Sequence, residues 1–112
     1  MRPEFARLMT HTLTIHRRER DWQGAFQTVL TTPGVRGFVE YGKRKVVNRK
    51  GEEVTAAAIV YLRNDAPVDA EHPHWLIDQT APHIRQNLDV IDIYPIDDPR
   101  TGDTHHYEAA VK

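Results

Sequence analysis

The chain has 112 residues, 39% of them hydrophobic and 28% charged, with no cysteine and a formal net charge of −1. That length and balance fit a single folded domain, residues 1–112, with a modest core that a partner surface would help to stabilise, and they exclude wholesale disorder. The lack of cysteine excludes a disulfide framework and a thiolate metal site, so stability is expected from packing or assembly.

The opening "MRPEFARLM" has no apolar core of signal-peptide length, and no later run approaches the roughly 20 apolar residues of a membrane span. The expected setting is the cytosol, away from any membrane. Residues 1–10 read as an N-terminal arm, with a short helical turn after Pro3 and an apolar edge of Phe5, Leu8 and Met9. "HTLTIHRR", residues 11–18, alternates Leu13 and Ile15 with Thr12, Thr14 and His16, the period of a half-buried strand. "ERDWQGAFQTVLTTPG", residues 19–34, is polar and interrupted by Gly24, Pro33 and Gly34. It reads as a long loop or mobile connection, with room for a short strand at Phe26–Leu30.

"VRGFVEY" restores the alternation, and "KRKVVNRKGEEVTAAAIVYL" reads as a hairpin with its turn at Asn48–Gly51. Val54, Ala56, Ala58, Val60 and Leu62 fall on one face, where the alanines suit close approach of backbone or subunit. "RNDAPVDAEHP" is a turn-rich bridge and "HWLIDQ" a short strand. In "NLDVIDIYPI" the apolar phase slips near Val90–Ile91, as a β-bulge or a strand buried on both faces requires. "DDPRTGD" is a turn, and "HHYEAAV" a last strand. The sum is an all-β fold, a small β-barrel or sandwich of about six or seven short strands with long loops.

Charge is divided unevenly along the chain. Residues 1–63 hold 12 Lys/Arg against 6 Asp/Glu, and residues 64–112 hold 3 against 10. Either the two halves interleave in one sheet, or the surface is dipolar and docks head to tail on a copy of itself or between two partners. The densest basic stretch is "VEYGKRKVVNRKGEEV", with Lys43, Arg44, Lys45, Arg49 and Lys50. On a protruding hairpin these cations suit phosphate contacts. Only Tyr41 lies beside them and no recognition helix is present, so contact with DNA is expected at the backbone, non-specific and salt-sensitive. A plain solvated hairpin stays open beside it.

Catalytic chemistry finds little support. His72, His74, His83, His105 and His106 follow no zinc spacing, which leaves solvated or strand-edge histidines as the expectation and no metal or cofactor site. No nucleophile elbow, P-loop, metalloprotease helix or dinucleotide fingerprint occurs, and Asp97-Asp98 and Glu52-Glu53 lie in turns, so no enzyme is expected. Trp22 and Trp75 read as core or interface anchors.

The order of pieces, "HTLTIHRRE", a variable loop, "GFVEYGKRKVVNRKGEEVTAAAIVYLRNDAPVDAEHPHWLIDQ" and "NLDVIDIYPIDDPRTGDTHHYEAAV", resembles the small head-completion proteins of long-tailed bacteriophages, also called head-tail connector or stopper proteins. The resemblance runs from about His11 to Val111 and is carried most by the basic hairpin, the "DAPVD" bridge and the ending "HHYEAAV". It implies a β-barrel subunit in a homo-oligomeric ring of about a dozen copies, a closed heterologous assembly in which one side of each subunit meets the opposite side of the next. Such a ring would be assembled in the host cytoplasm and sit in the virion at the head-tail interface, between a portal-side adaptor protein and a tail-side terminator or tube protein. It would retain packaged DNA through non-specific contact and then dock the tail. A loop of each subunit is implied to close the channel, and segment 42–53 is the candidate, with Lys43, Arg44, Lys45, Arg49 and Lys50 facing DNA or a neighbour's carboxylates. Segment 19–34 is the rival channel element or a grip on the adaptor, with Trp22 and Phe26 as docking residues. From other classes, a small β-barrel nucleic-acid-binding module stands second, and a metal-dependent hydrolase built on the C-terminal histidines third.

Overall fold

Residues Glu53–Arg63 alternate between outside and inside along almost the whole strand, and Ala56, Ala58, Val60 and Leu62 are each fully buried. That is the face the apolar period of two demands. It faces the inside of a closed barrel in the computed structural model, which describes residues 7–48, 50–69, 73–81 and 84–112. The strands are β1 (His11–Arg20), β2 (Phe26–Val47), β3 (Glu53–Arg63), β4 (His74–Ala81), β5 (Ile84–Asp97) and β6 (Thr104–Val111). They close in the order β1-β2-β3-β6-β5-β4, every neighbouring pair antiparallel. Closure leaves no sheet edge along the barrel wall to pair with other chains.

Leu13, Ile15, Val39, Ala58, Val60, Leu62, Leu76, Leu88, Ile93, Ala109 and Val111 fill the interior. Each large aliphatic removed from water contributes about 1.5–3 kcal/mol. Small residues between large ones let so narrow a barrel close. Only one connection leaves neighbouring strands, from β3 to β4, and it passes over a barrel end. Val68 on that passage is buried in the core cluster, with Ala66 packed against it, so the connection plugs the end it crosses.

The strands are not all short: β2 has 22 residues and β5 has 14. Bulges make this length tolerable by bending them. Val90 pairs with Val111 and Asp92 with Ala110, so Ile91 is the extra residue where the apolar phase slips.

Segment 19–34 is not a long loop. β1 runs to Arg20 and β2 begins at Phe26, with a tight turn between them. The Asp21 carboxylate accepts hydrogen bonds from the N–H groups of Gln23 and Ala25 and from the Gln27 amide, and Gly24 supplies the positive φ of +86°. Pro33 and Gly34 do not break β2 either. Leu13 pairs with Val35 and Ile15 with Thr32, which puts both residues in a bulge opposite Thr14. There the proline needs no N–H for the ladder, and Gly34 takes a φ of +69°. Of the N-terminal arm, the helical turn after Pro3 and Phe5 lie outside the described residues, whereas Met9 is buried and Leu8 exposed.

The start of β1 leaves a seam that polar contacts close. The His11 Nδ1 accepts a hydrogen bond from the Val39 N–H at 3.1 Å, and the Tyr41 hydroxyl donates to Asp78 Oδ2 at 2.7 Å, linking β2 to β4 past the end of β1. Burial, then the bond to Asp78 and its negative charge, pushes the Tyr41 phenol well above its ordinary 10.0. The folded chain therefore keeps this proton where the unfolded chain loses it, and the contribution is full below about pH 10 and fades as the pH rises beyond. In urea unfolding at neutral pH, Tyr41→Phe is expected to cost about 1–2 kcal/mol. The variant should also lose less stability than the parent between neutral pH and strongly alkaline solution. Equal alkaline slopes would contradict the assignment.

Candidate functional site

Two hairpin arms leave the barrel from opposite ends. Strand direction fixes this: β3 runs from the 48–52 turn to the 64–73 connection, and antiparallel pairing puts the 21–25 and 98–103 turns at the second of those ends. The first end holds the 48–52 turn and Lys112.

The β1–β2 arm begins where β4 stops covering β1, since that pairing ends at Arg17 and His74. Arg18 still donates its N–H to the Pro73 carbonyl at 2.8 Å; beyond it Glu19 and Arg20 are paired with Gln27 and Phe26 of the same hairpin. Trp22 at the tip is 91% exposed, Phe26 is 48% exposed, and Val29 and Leu30 are also exposed. The Arg20 guanidinium lies 4.6 Å from the centre of the Phe26 ring. Trp22 is thus no core anchor, since its ring stands almost wholly in solvent at the hairpin tip. Trp75, in contrast, is half-buried on the outer wall, stacked on His16 at 4.8 Å with the Arg18 guanidinium 4.8 Å from its ring centre.

The β2–β3 arm begins where β6 ends, at the Ala58–Val111 pair. A bulge at Gly42 and Lys43, opposite Ala57, bends it. Its turn sits where the sequence put it: Asn48 Oδ1 accepts hydrogen bonds from the N–H groups of Lys50 and Glu52, and the Gly51 N–H donates to the Asn48 carbonyl. The Tyr94 hydroxyl donates to the Val47 carbonyl at 2.8 Å, tying the arm to β5.

The arm's cations are not equivalent. Arg44 is paired with Glu40, and Lys45 Nζ lies 3.4 Å from Glu53 Oε1. Arg49 lies outside the described residues. Lys43 and Lys50 are exposed, and neither has a carboxylate partner among the described residues. Sequence alone counted five equal charges; half of the described set is already compensated inside its own hairpin.

The far end is acidic. Segments 64–69 and 97–103 hold five carboxylates, Asp65, Asp69, Asp97, Asp98 and Asp103, and one arginine, Arg100; Asp65 pairs with Arg63 at 3.4 Å, and Arg18 and Arg20 lie on the arm that leaves the same end. At the β5–β6 turn an open socket of about 280 Å³ is lined by Ile96, Asp97, Asp98, Pro99, Arg100 and His105.

Of the described histidines, His105 and His106 come together. His72 and His83 lie outside the described residues, and His74 is buried at the start of β4. The His105 and His106 Nδ1 atoms are 2.9 Å apart, with His106 Nε2 3.5 Å from Glu108 Oε1. Among the described residues no group of three histidine or carboxylate side chains is placed to hold a metal ion. Sequence reading missed the β1–β2 arm, although its signal was present: Asp21-Trp-Gln-Gly24 repeats the spacing of Asn48-Arg-Lys-Gly51. No sequence signal points to the Tyr41–Asp78 and Tyr94–Val47 ties.

The fold is thus an antiparallel six-stranded closed barrel bearing a basic arm at one end and, at the other, a polar arm with two exposed aromatic residues, Trp22 and Phe26. No protein-family model matches the chain, nor does any curated protein or solved structure.

Proposed function

We propose that this chain is a structural, non-enzymatic subunit of a ring at the neck of a long-tailed virus, where it closes the portal channel, retains packaged DNA and offers the tail a docking face. One observation supports the reading beyond the resemblance: two hairpin arms of different chemistry leave opposite ends of one closed barrel. A subunit built so can touch two unlike neighbours at once, as a joint between head and tail must.

In this reading the 42–53 arm lies at the joint, with Lys43 and Lys50 as its available charge. The Trp22 arm inserts its aromatic residues into the adaptor on the portal side or the terminator or tube on the tail side. The barrel serves as the rigid spacer. The nucleic-acid module is the weaker reading, because Arg44 and Lys45 are spent on Glu40 and Glu53 and few charges remain to release counterions.

Removing the chain's gene tests the proposal. Heads made without it are expected to package DNA, lose it and remain tailless under the electron microscope. Tailed, infectious particles formed without the chain would overturn the reading.

A further inference from the structure

Resting on the ring reading, we infer that the β2–β3 arm of one copy docks into the acidic socket of the next, Val47 entering between Ile96 and Pro99 while Lys43 and Lys50 meet Asp97 and Asp103. The occupant is a second copy of this chain, and charge is the first argument. Segment 42–53 carries five cations and two carboxylates; at the opposite end Asp65 is paired with Arg63 and the β1–β2 arm brings Arg18 and Arg20, so the acidic excess lies at the β5–β6 turn, where Asp97, Asp98 and Asp103 stand against Arg100.

Among the described residues no ion pair joins the two groups: Arg44 and Lys45 pair with Glu40 and Glu53, and Arg100 with Asp98. Lys43 and Lys50 on one side and Asp97 and Asp103 on the other are therefore open to another molecule. A two-fold contact of basic end on basic end, or acidic on acidic, would set like charges together. The favoured contact is basic on acidic, which is heterologous and propagates into a ring.

Shape agrees with charge. Val47 is 60% exposed beside the arm's cations, and Tyr94 holds its carbonyl, leaving the side chain free to face outward from a fixed backbone. The socket has apolar walls in Ile96 and Pro99, with Asp97 and Asp98 beside Arg100 and His105 on its rim, and Asp103 across the turn, where its carbonyl accepts the Asp98 N–H. Asp98 accepts a hydrogen bond from the Arg100 N–H and lies 4.0 Å from the Arg100 guanidinium. Asp97 meets only the Thr104 hydroxyl, at 3.5 Å, and Asp103 is exposed, so these two are the freer acceptors. An apolar knob ringed by cations thus faces a neighbour's apolar socket ringed by carboxylates, the pattern of a desolvated anchor with a charged rim.

A charge exchange in the full chain tests this by sedimentation velocity and native mass spectrometry. Lys43→Glu with Lys50→Glu, and separately Asp97→Lys with Asp103→Lys, are each expected to weaken self-association by about a hundredfold. An equimolar mixture of the two variants should regain assembly, because each reversed end then meets its opposite. Assembly unaffected by either reversal would overturn the inference, as would a parent chain that stays monomeric at its solubility limit. So would a Lys43→Glu, Lys50→Glu variant that assembles normally but loses binding to a short DNA duplex, which would assign the arm to nucleic acid. Failure of the exchange in a chain still found at the neck would discard the docking mode alone. A successful exchange in a chain absent from virus particles would discard the neck reading alone.

Discussion

Gly37→Ala is expected to destabilise the chain by about 3 kcal/mol, the upper part of the range for overpacking a well-filled core. A Cβ at this position would stand 2.8 Å from Leu13 Cδ1, 3.0 Å from the Tyr61 carbonyl oxygen and 3.1 Å from Leu62 Cδ2. The two leucine methyl groups can turn aside, but the carbonyl belongs to the β2–β3 ladder and moves only with the strand. The sign is diagnostic. Alanine restricts the unfolded chain and suits a strand better than glycine, so at an open position in ordinary backbone the change would stabilise. Thermal and urea unfolding would show the loss. Unchanged stability would contradict the pairing of Gly37 with Leu62.

Replacing Lys43, Arg44, Lys45, Arg49 and Lys50 together with glutamine is expected to abolish infectivity while leaving the fold intact. The four described side chains are exposed. Their two surface ion pairs are worth about 0–1 kcal/mol each, so thermal stability should fall little. Function should respond far more, because a ring repeats each change in every copy. Particles carrying the variant should either leak DNA or lack the ring, as nuclease sensitivity and electron microscopy would show. Filled, infectious particles would contradict a role for this arm at the joint.

Strand positions were legible where a period of two or a turn signature was strong. Leu13 and Ile15 announced β1, the Ala56-Ala58-Val60-Leu62 face announced β3, and the slip at Val90–Ile91 announced a bulge that the register confirms. The segment 19–34 misled because glycine and proline read as breakers. Their meaning depends on the partner strand: opposite Thr14 they form a bulge within a continuous strand. The sequence left a small barrel and a sandwich both open, and the choice rests on the β1–β4 pairing, which joins residues about sixty apart through contacts such as Leu13 with Asp78. The basic arm could be named from its composition, but which charges remain available depends on Glu40 and Glu53, set beside Arg44 and Lys45 by the fold. The acidic socket lies within one hairpin, residues 96–105, whose turn and last strand the sequence marked, but that its side chains enclose a socket is visible only in the fold.

The neck assignment is tested most directly by the copy number and position of this chain in purified virus particles, using quantitative mass spectrometry with cross-linking. About a dozen copies or fewer per particle, cross-linked to both portal-side and tail-side proteins, is the expected result. Absence of the chain from particles, or cross-links confined to capsid shell or tail tip, would contradict it.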